Sequence, residues 1–405
     1  MTSAVAGRAV KHGKRDSPVD HLLRPAAGLE AEFTLYVDDQ PTTPERVFGD
    51  PRGFLDVPLM HRTGRSFHLP TGAAVYFDTG VIELATPVME LERGCFTRLA
   101  RLLDDSLTLV RAQLDRWEQR TGRRARLQGF SAHYNVSPPR AAAAPADTHR
   151  FDRLAWLLAH VLPVPVMLVA TNRLSTGVGV RPRPPRLEVT ADFSPDPWRT
   201  SAAGAIIAAI VVEVSGWRDL DVAALERARI PVVEGFEPMA HTSRRGWLAR
   251  FDCYPQNPFA CGPGEPVWET TAGARVSLRA IGTAVWQRFA PAIARMADPH
   301  SFRLARDIIH GRSRSWLDDA QRPTVYDDVG RAGRGPGEPD LARLGRSPYE
   351  QIVLRTITRT PLRLPDGTWT PESIRGWSRV VFRRADGARR VLSLDSLVPH
   401  LDRWR

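Results

Sequence analysis

Lysine is almost missing from this chain. Of 56 basic residues only Lys11 and Lys14 are lysines, and the others are arginine. Cysteine is scarce too. Cys95, Cys253 and Cys261 are the whole complement, and no two form a C-x-x-C pair. That excludes a disulfide scaffold, a zinc ribbon and a thioredoxin-type redox site, and leaves three buried thiols in a reduced compartment. Long apolar runs are missing as well. The longest, Ala202 to Val214, is bounded by Glu213 and Gly216 and falls short of the roughly 18 residues a membrane span needs. No apolar run follows Lys11, Lys14 and Arg15, so the signal-peptide pattern is absent. The expectation is a cytoplasmic protein with no membrane partner. A phosphate loop is also lacking, because no Gly-Lys-Ser/Thr follows the G-R-G-P-G-E stretch at 333–338.

What is present is globular in kind. The 405 residues are 42% hydrophobic and 25% charged, enough chain to bury a large core without disulfides. The net charge of +11 favours polyanions, but the basic residues form no dense block, and nucleic acid is not expected as a partner. Residues 1–24 are polar and basic without periodicity and read as a disordered or loosely docked arm. Residues 25–329 carry the pattern of one large mixed α/β domain. The Gly/Pro-rich stretch at 330–345 reads as a linker or mobile loop, and 346–405 as a small helix plus a β element with a turn at Ala385-Asp386-Gly387. Alternation predicts strands over 28–37, 129–137 and 186–193, and Val75 to Val88 is a broken apolar run. Apolar spacing predicts helices over 90–121, 147–162, 202–214 and 275–296.

Four of the strand candidates share an unusual face. In G-L-E-A-E-F-T-L, Glu30 and Glu32 oppose Leu29, Ala31, Phe33 and Leu35. In G-F-S-A-H-Y-N-V-S, Ser131, His133 and Asn135 oppose Phe130, Ala132, Tyr134 and Val136. In P-R-L-E-V-T-A-D-F, Arg186, Glu188, Thr190 and Asp192 oppose Leu187, Val189, Ala191 and Phe193. In Y-F-D-T-G-V-I-E-L-A-T-P, Glu83 stands alone among apolar neighbours, and Asp78 falls on the opposite face of a regular strand unless Gly80 breaks it. Any one such face could simply meet water. Together they present Glu, Glu, Glu, His and Glu, which are hard metal ligands. Carboxylates at i and i+2 repel each other unless a cation lies between them, so a sheet around Mg²⁺ or Mn²⁺ accounts for all four strands. The stretch V-A-T-N-R-L-S-T-G-V-G-V-R-P-R-P-P-R-L-E places Arg173, Arg181, Arg183 and Arg186 just before Glu188. It reads either as a loop that clamps phosphate or as a basic surface loop. His61 and His68 have no acidic partner at ligand spacing, His241 with Cys253 and Cys261 lacks a fourth ligand, and the tryptophans read as packing.

The order G-L-E-A-E-F, then D-T-G-V-I-E-L-A-T-P, then the His133 strand, then R-L-E-V resembles the glutamine synthetase and glutamate–cysteine ligase superfamily of carboxylate–amine ligases. I-E-L-A-T-P is similar to the metal-binding strand of the glutamate–cysteine ligase branch. The likeness covers roughly residues 28–193. It implies an α+β fold: a curved antiparallel sheet (the glutamine synthetase-like catalytic barrel), helices on its outer side, and a small C-terminal appendage. It also implies that Glu32 and Glu83, with Asp78, hold a metal near the reacting groups, and that Glu30, His133 and Glu188 hold one at the ATP phosphates. Arg173 and Arg186 would act on phosphoryl transfer, with Arg181, Arg183 and Asn135 against the nucleotide. One departure is Thr190, where glutamine synthetases carry an arginine. The implied activity is ATP-dependent amide formation through an acyl phosphate, with a glutamate-like carboxylate, an amine and Mg²⁺ or Mn²⁺. Assembly into a homo-oligomer stays open. The rivals are a phosphotransferase on the same barrel and a non-catalytic nucleotide- or nucleic-acid-binding protein; the intact set of acidic residues argues against the latter.

Overall fold

The structure, a computed structural model, describes residues 22–139, 148–241, 245–330 and 347–404. The arm at 1–24 and the linker at 330–345 therefore lie outside the described residues, apart from 22–24 and 330. Twelve strands make the main sheet: β1 (Ala26–Val37), β2 (Gln40–Thr42), β3 (Met60–Thr63), β4 (Ser66–His68), β5 (Ala74–Asp78), β6 (Val81–Ala85), β7 (Met89–Glu90), β8 (Ala125–Ser137), β9 (Gly177–Arg183), β10 (Arg186–Asp192), β11 (Met239–Ala240) and β12 (Trp247–Arg250). Their order is β11-β12-β9-β10-β8-β1-β6-β5-β4-β3, with β2 and β7 also on β1. Every pairing is antiparallel. Among the described residues the order ends at β11 and β3 and does not close on itself.

One face of this sheet is apolar. Leu29, Ala31, Phe33 and Leu35 of β1, Tyr134 and Val136 of β8, Val178 and Val180 of β9 and Leu187 and Val189 of β10 are all buried. Helices α2 (Cys95–Thr121), α4 (Pro163–Ala170) and α5 (Pro197–Ser215) cover them, preceded by the short α1 (Pro44–Phe48) and, between α2 and α4, by α3 (Thr148–Val161). Outside these lie α6 (Val222–Arg227), α7 (Leu278–Met296) and α8 (Pro299–Ile309). Helix α5 begins where Asp196 accepts the Trp198 N–H at 2.9 Å. At 19 residues it is longer than the run read from the sequence, and by length and composition it could cross a membrane, yet 83% of its apolar window is buried inside the protein. Its all-round apolar surface is met by α2, α4, α7 and α8.

Three local expectations are corrected. Val75 to Val88 is not one broken strand but the β5–β6 hairpin. Thr79 and Gly80 both have positive φ, 53° and 93°, the conformation a two-residue hairpin turn demands. Tyr76 thus faces Glu83 and Asp78 faces Val81, which puts Asp78 on the face of Glu83, the outcome expected if Gly80 breaks the strand. Phe130, expected in the core, is 58% exposed, because the β1–β8 register slips between Glu32 and Phe33 and leaves Phe130 as the extra residue of a β-bulge. Third, 177–183 is a strand, not a loop. Its V-x-V alternation buries Val178 and Val180, and the glycines allow close approach. A Cβ at Gly179 would stand 2.3 Å from Thr190 Oγ1. Gly179→Val should therefore destabilise the fold by at least about 1–3 kcal/mol, read as a lower urea midpoint with an unchanged slope.

A two-stranded ribbon, β13 (Trp268–Glu269) and β14 (Arg275–Val276), precedes α7. The C-terminal residues form a second sheet, β15 (Leu362–Leu364), β16 (Gly367–Arg375), β17 (Arg379–Arg384) and β18 (Arg389–Ser393), with α9 (Pro348–Ile357) and α10 (Leu394–Leu397). Helix α9 starts in a capping box between Ser347 and Glu350. The core of this unit, including Tyr349, Trp369, Phe382 and Trp404, takes in Ala26, Met60 and Val88 from the large sheet. The Tyr349 N–H donates to Glu90 at 3.1 Å. The second sheet is thereby held against one end of the polar face.

Candidate active site

Directly opposed residues of an antiparallel pair share a face. Glu32 pairs with Glu83 and Ser131, Glu30 with His133, Asn135 with Glu188, and Glu188 with Arg181. The face away from the helices therefore carries Tyr76, Glu83, Glu32, Glu30, His133, Asn135, Glu188 and Arg181 across six neighbouring strands.

Three of these residues meet closely. Donor atoms of Glu30, Glu83 and His133, all buried, lie within 4.8 Å of one another. His133 Nδ1 is 3.2 Å from Glu30 Oε2 and 3.9 Å from Glu188 Oε1. Its Nε2 is 3.8 Å from Glu32 Oε1. The Ser131 hydroxyl donates to Glu32 at 2.6 Å, and the Tyr76 hydroxyl to Glu83 at 2.5 Å. Burial, then the charge of Glu30, pushes the Glu83 carboxyl up to about 8, against the pull of the Tyr76 hydrogen bond. Glu30 goes the other way: burial raises it, but the hydrogen bond and charge of His133 and the charge of Arg186 bring it below the usual carboxylate value. Three carboxylates and an imidazole, with one carboxyl raised by burial and by the charge of Glu30, form a donor set that fits a hard divalent cation such as Mg²⁺ or Mn²⁺. Bound cation would have to displace the Glu83 proton. Mn²⁺ affinity should accordingly rise with pH up to about 8 and then level off. Calorimetry in buffers of different ionisation enthalpy should detect about one proton released per ion at pH 7.

The arginines divide. Arg181 and Arg183 both pair with Glu188, the latter at 2.8 Å, so the sites expected to hold nucleotide and metal neutralise each other here. Arg186 Nε donates to Asn135 Oδ1 at 2.8 Å, and its charge bears on Glu30. Arg173 stands apart, donating to the backbone carbonyls of Asp319 at 3.0 Å, Phe259 at 3.1 Å and Cys261 at 3.3 Å, and so ties loops together. Asp78 is exposed at the hairpin tip, where it accepts from Thr79 Oγ1 at 3.0 Å. His68 is buried and pushed down to about 3, first by burial and then by the charge of Arg62; His61 is exposed and contacts the Gly64 carbonyl.

Two cavities flank the acid cluster. One of about 50 Å³ is bordered by Ala26, Gly28, Glu30, Asn135, Arg186 and Trp377 of the C-terminal sheet. The other, of about 260 Å³, is bordered by Ser131, Thr190, Asp192, Asn172, Arg322 and Tyr326. Asp192 accepts from Ser175 Oγ at 3.0 Å, and burial raises it to about 6. Sequence reasoning passed over Tyr76, Trp377, Arg322 and Tyr326. For Tyr76 a signal existed, since the D-T-G turn marks a hairpin that brings it against Glu83. The other three come from distant segments without any local mark.

No protein-family model matches the chain, and no curated protein matches its sequence. Solved structures do. A crystal structure of the complex between the prokaryotic ubiquitin-like protein Pup and its ligase PafA aligns with a TM-score of 0.52 at 12% identity, over 95% of this chain and 93% of that one. A structure of PafA with ADP aligns with a TM-score of 0.45 at 11% identity, over 84% of this chain and 90% of that one. The chain has the fold of the Pup ligase PafA, along nearly its whole length.

Proposed function

We propose that the protein is an ATP-dependent carboxylate–amine ligase working through an acyl phosphate. The observation that carries this reading is the cluster of Glu30, Glu32, Glu83 and His133 on an open sheet face, with Arg186 at one end and a polar cavity at the other. Support comes from the sequence resemblance to carboxylate–amine ligases and from the fold shared with a ligase.

ATP sits at the Arg186 end. Asn135 holds the Arg186 guanidinium toward the phosphates, and Trp377 offers an aromatic face to the base. Glu30, Glu83 and His133, with Glu32 beside them, hold the divalent cation, which offsets phosphate charge when bound. The second cavity takes the carboxylate substrate, with Asp192 and Arg322 offering groups of both signs to an amino-acid head. A substrate carboxylate oxygen attacks the γ-phosphorus, the bond to the bridging oxygen breaks, and ADP leaves with that electron pair. The amine nitrogen then adds to the acyl carbon, loses a proton, and expels phosphate. For the acyl donor we favour a glutamate-like acid, as in the glutamate–cysteine ligase branch, because the second cavity is bordered by groups of both signs, Asp192 and Arg322, as an amino-acid head requires.

Hydroxylamine tests this. With ATP, Mg²⁺ or Mn²⁺ and a pool of free acids, hydroxamate and ADP should appear in equal amounts. ADP with a stable phosphorylated acid would mean a phosphotransferase, AMP with pyrophosphate an adenylating enzyme, and no turnover a binding protein.

A further inference from the structure

Four arginines among the described residues are buried: Arg62, Arg98, Arg111 and Arg181. Three have carboxylate partners. Arg98 pairs with Glu92 and Glu350, Arg111 with Asp115 and Glu118, and Arg181 with Glu188. Arg62 alone, 8% exposed, has no carboxylate within ion-pair distance among the described residues. A buried cation without a counter-charge is costly and is ordinarily paired or liganded.

Its surroundings hold it in place without neutralising it. Arg62 Nε donates to the Gly376 carbonyl at 3.4 Å and Nη1 to Ser66 Oγ at 3.2 Å. The guanidinium carbon lies 4.4 Å from the centre of the Trp377 ring and 5.6 Å from that of Tyr76. Aromatic faces favour a cation but supply no negative charge. A guanidinium has five N–H donors, and these two hydrogen bonds leave the rest of the fork for another acceptor. The position is informative. Tyr76 binds Glu83 of the acid cluster at 2.5 Å, and Trp377 borders the same cavity as Glu30, Asn135 and Arg186. Arg62 does not itself border that cavity; it stacks on Trp377, which does, at the seam between the two sheets.

We propose that Arg62 is a phosphate-binding residue of the nucleotide site, completing with Arg186 a two-sided clamp on the polyphosphate. The assignment rests on the ligase reading, in that the polyanion is ATP. A purely structural Arg62, pinning the C-terminal sheet through Gly376 and Trp377, is the competing account.

The two differ in how affinity depends on phosphate number. Dissociation constants of ATP, ADP and AMP, measured by calorimetry with Mn²⁺, should increase in that order for the native protein. In Arg62→Gln the constants for ATP and ADP should rise on the order of 10- to 100-fold, as expected for a lost charge-assisted hydrogen bond, while that for AMP changes far less. Arg62→Lys keeps the charge without the planar fork, should fold even if Gln weakens the seam, and should fall between. A lower melting temperature with an unchanged ratio of AMP to ATP affinity in both variants would overturn the assignment and leave the ligase standing. A native protein that binds none of the three nucleotides would overturn both.

Discussion

Glu83→Gln should leave a folded protein that has lost at least about 10²-fold in turnover. The amide keeps the shape of the side chain and its contact with Tyr76 but removes a negative charge needed to hold the cation, and losing one preorganised electrostatic group of this kind costs that much. The same substitution should raise the melting temperature of the metal-free protein at alkaline pH. The sign follows from the direction of the shift. The folded carboxyl is raised to about 8 from an ordinary 4.5, so the folded state keeps a proton that the unfolded state has given up. That contribution is full below pH 4.5 and is lost as pH rises through 8. Glutamine never ionises, so the variant's advantage should grow across that window. Thermal melts at pH 6 and pH 9 with chelator check it; an equal or lower melting temperature at pH 9 would mean that neither burial nor the charge of Glu30 raises Glu83.

Glu30→Gln should lose activity to a similar extent, with ADP and hydroxamate falling together, and should move stability the other way. Burial works against the Glu30 carboxylate, but the hydrogen bond to His133 and the charges of His133 and Arg186 outweigh it and hold the group below its usual value. Such a carboxylate stabilises the fold above its unfolded value, and the contribution disappears as pH falls through the folded one. At neutral pH the metal-free variant should melt lower than the native chain, and the gap should narrow under acid conditions. Two glutamates on paired strands, both needed for turnover, are thus told apart by the sign of their effect on melting. A rise in melting temperature for both would mean that His133 does not compensate Glu30.

The helices and central strands were legible because their signals are local. Leu29, Ala31, Phe33 and Leu35 alternate with Glu30 and Glu32 in the sequence and in the structure. The C-terminal helix and hairpin appear at 348–357 and 379–393, where periodicity and the D-G turn mark them. The closeness of Glu30, Glu83 and His133 was legible from chemistry, since acidic residues on several strand faces rarely tolerate one another without a cation. Register was legible only in part. The two-residue turn at Thr79-Gly80 is marked by D-T-G, whereas the one-residue bulge at Phe130 changes which face a side chain takes without departing visibly from ordinary alternation. The arginines show a further gap. In a chain where nearly every basic residue is arginine, composition cannot separate Arg62, buried without a counter-charge among the described residues, from Arg173, which ties loops. Only the partners separate them.

The central position of β1 bears on how the chain folds. This strand is hydrogen-bonded on both long sides, to β6 and to β8, and His133 reaches Glu30 across 103 residues of chain. Such distant pairings make loop closure slow relative to helix formation. Because synthesis runs from the N-terminus, β1 is made before both partners, and its β8 edge waits unpaired through about 100 residues of further translation, the arrangement most prone to join another copy. Alternate positions on that waiting strand are Glu30 and Glu32. The charges proposed to gather a cation are, during this interval, what opposes self-association, so neutralising both should lower the soluble yield of freshly made chain even where the finished fold tolerates the change.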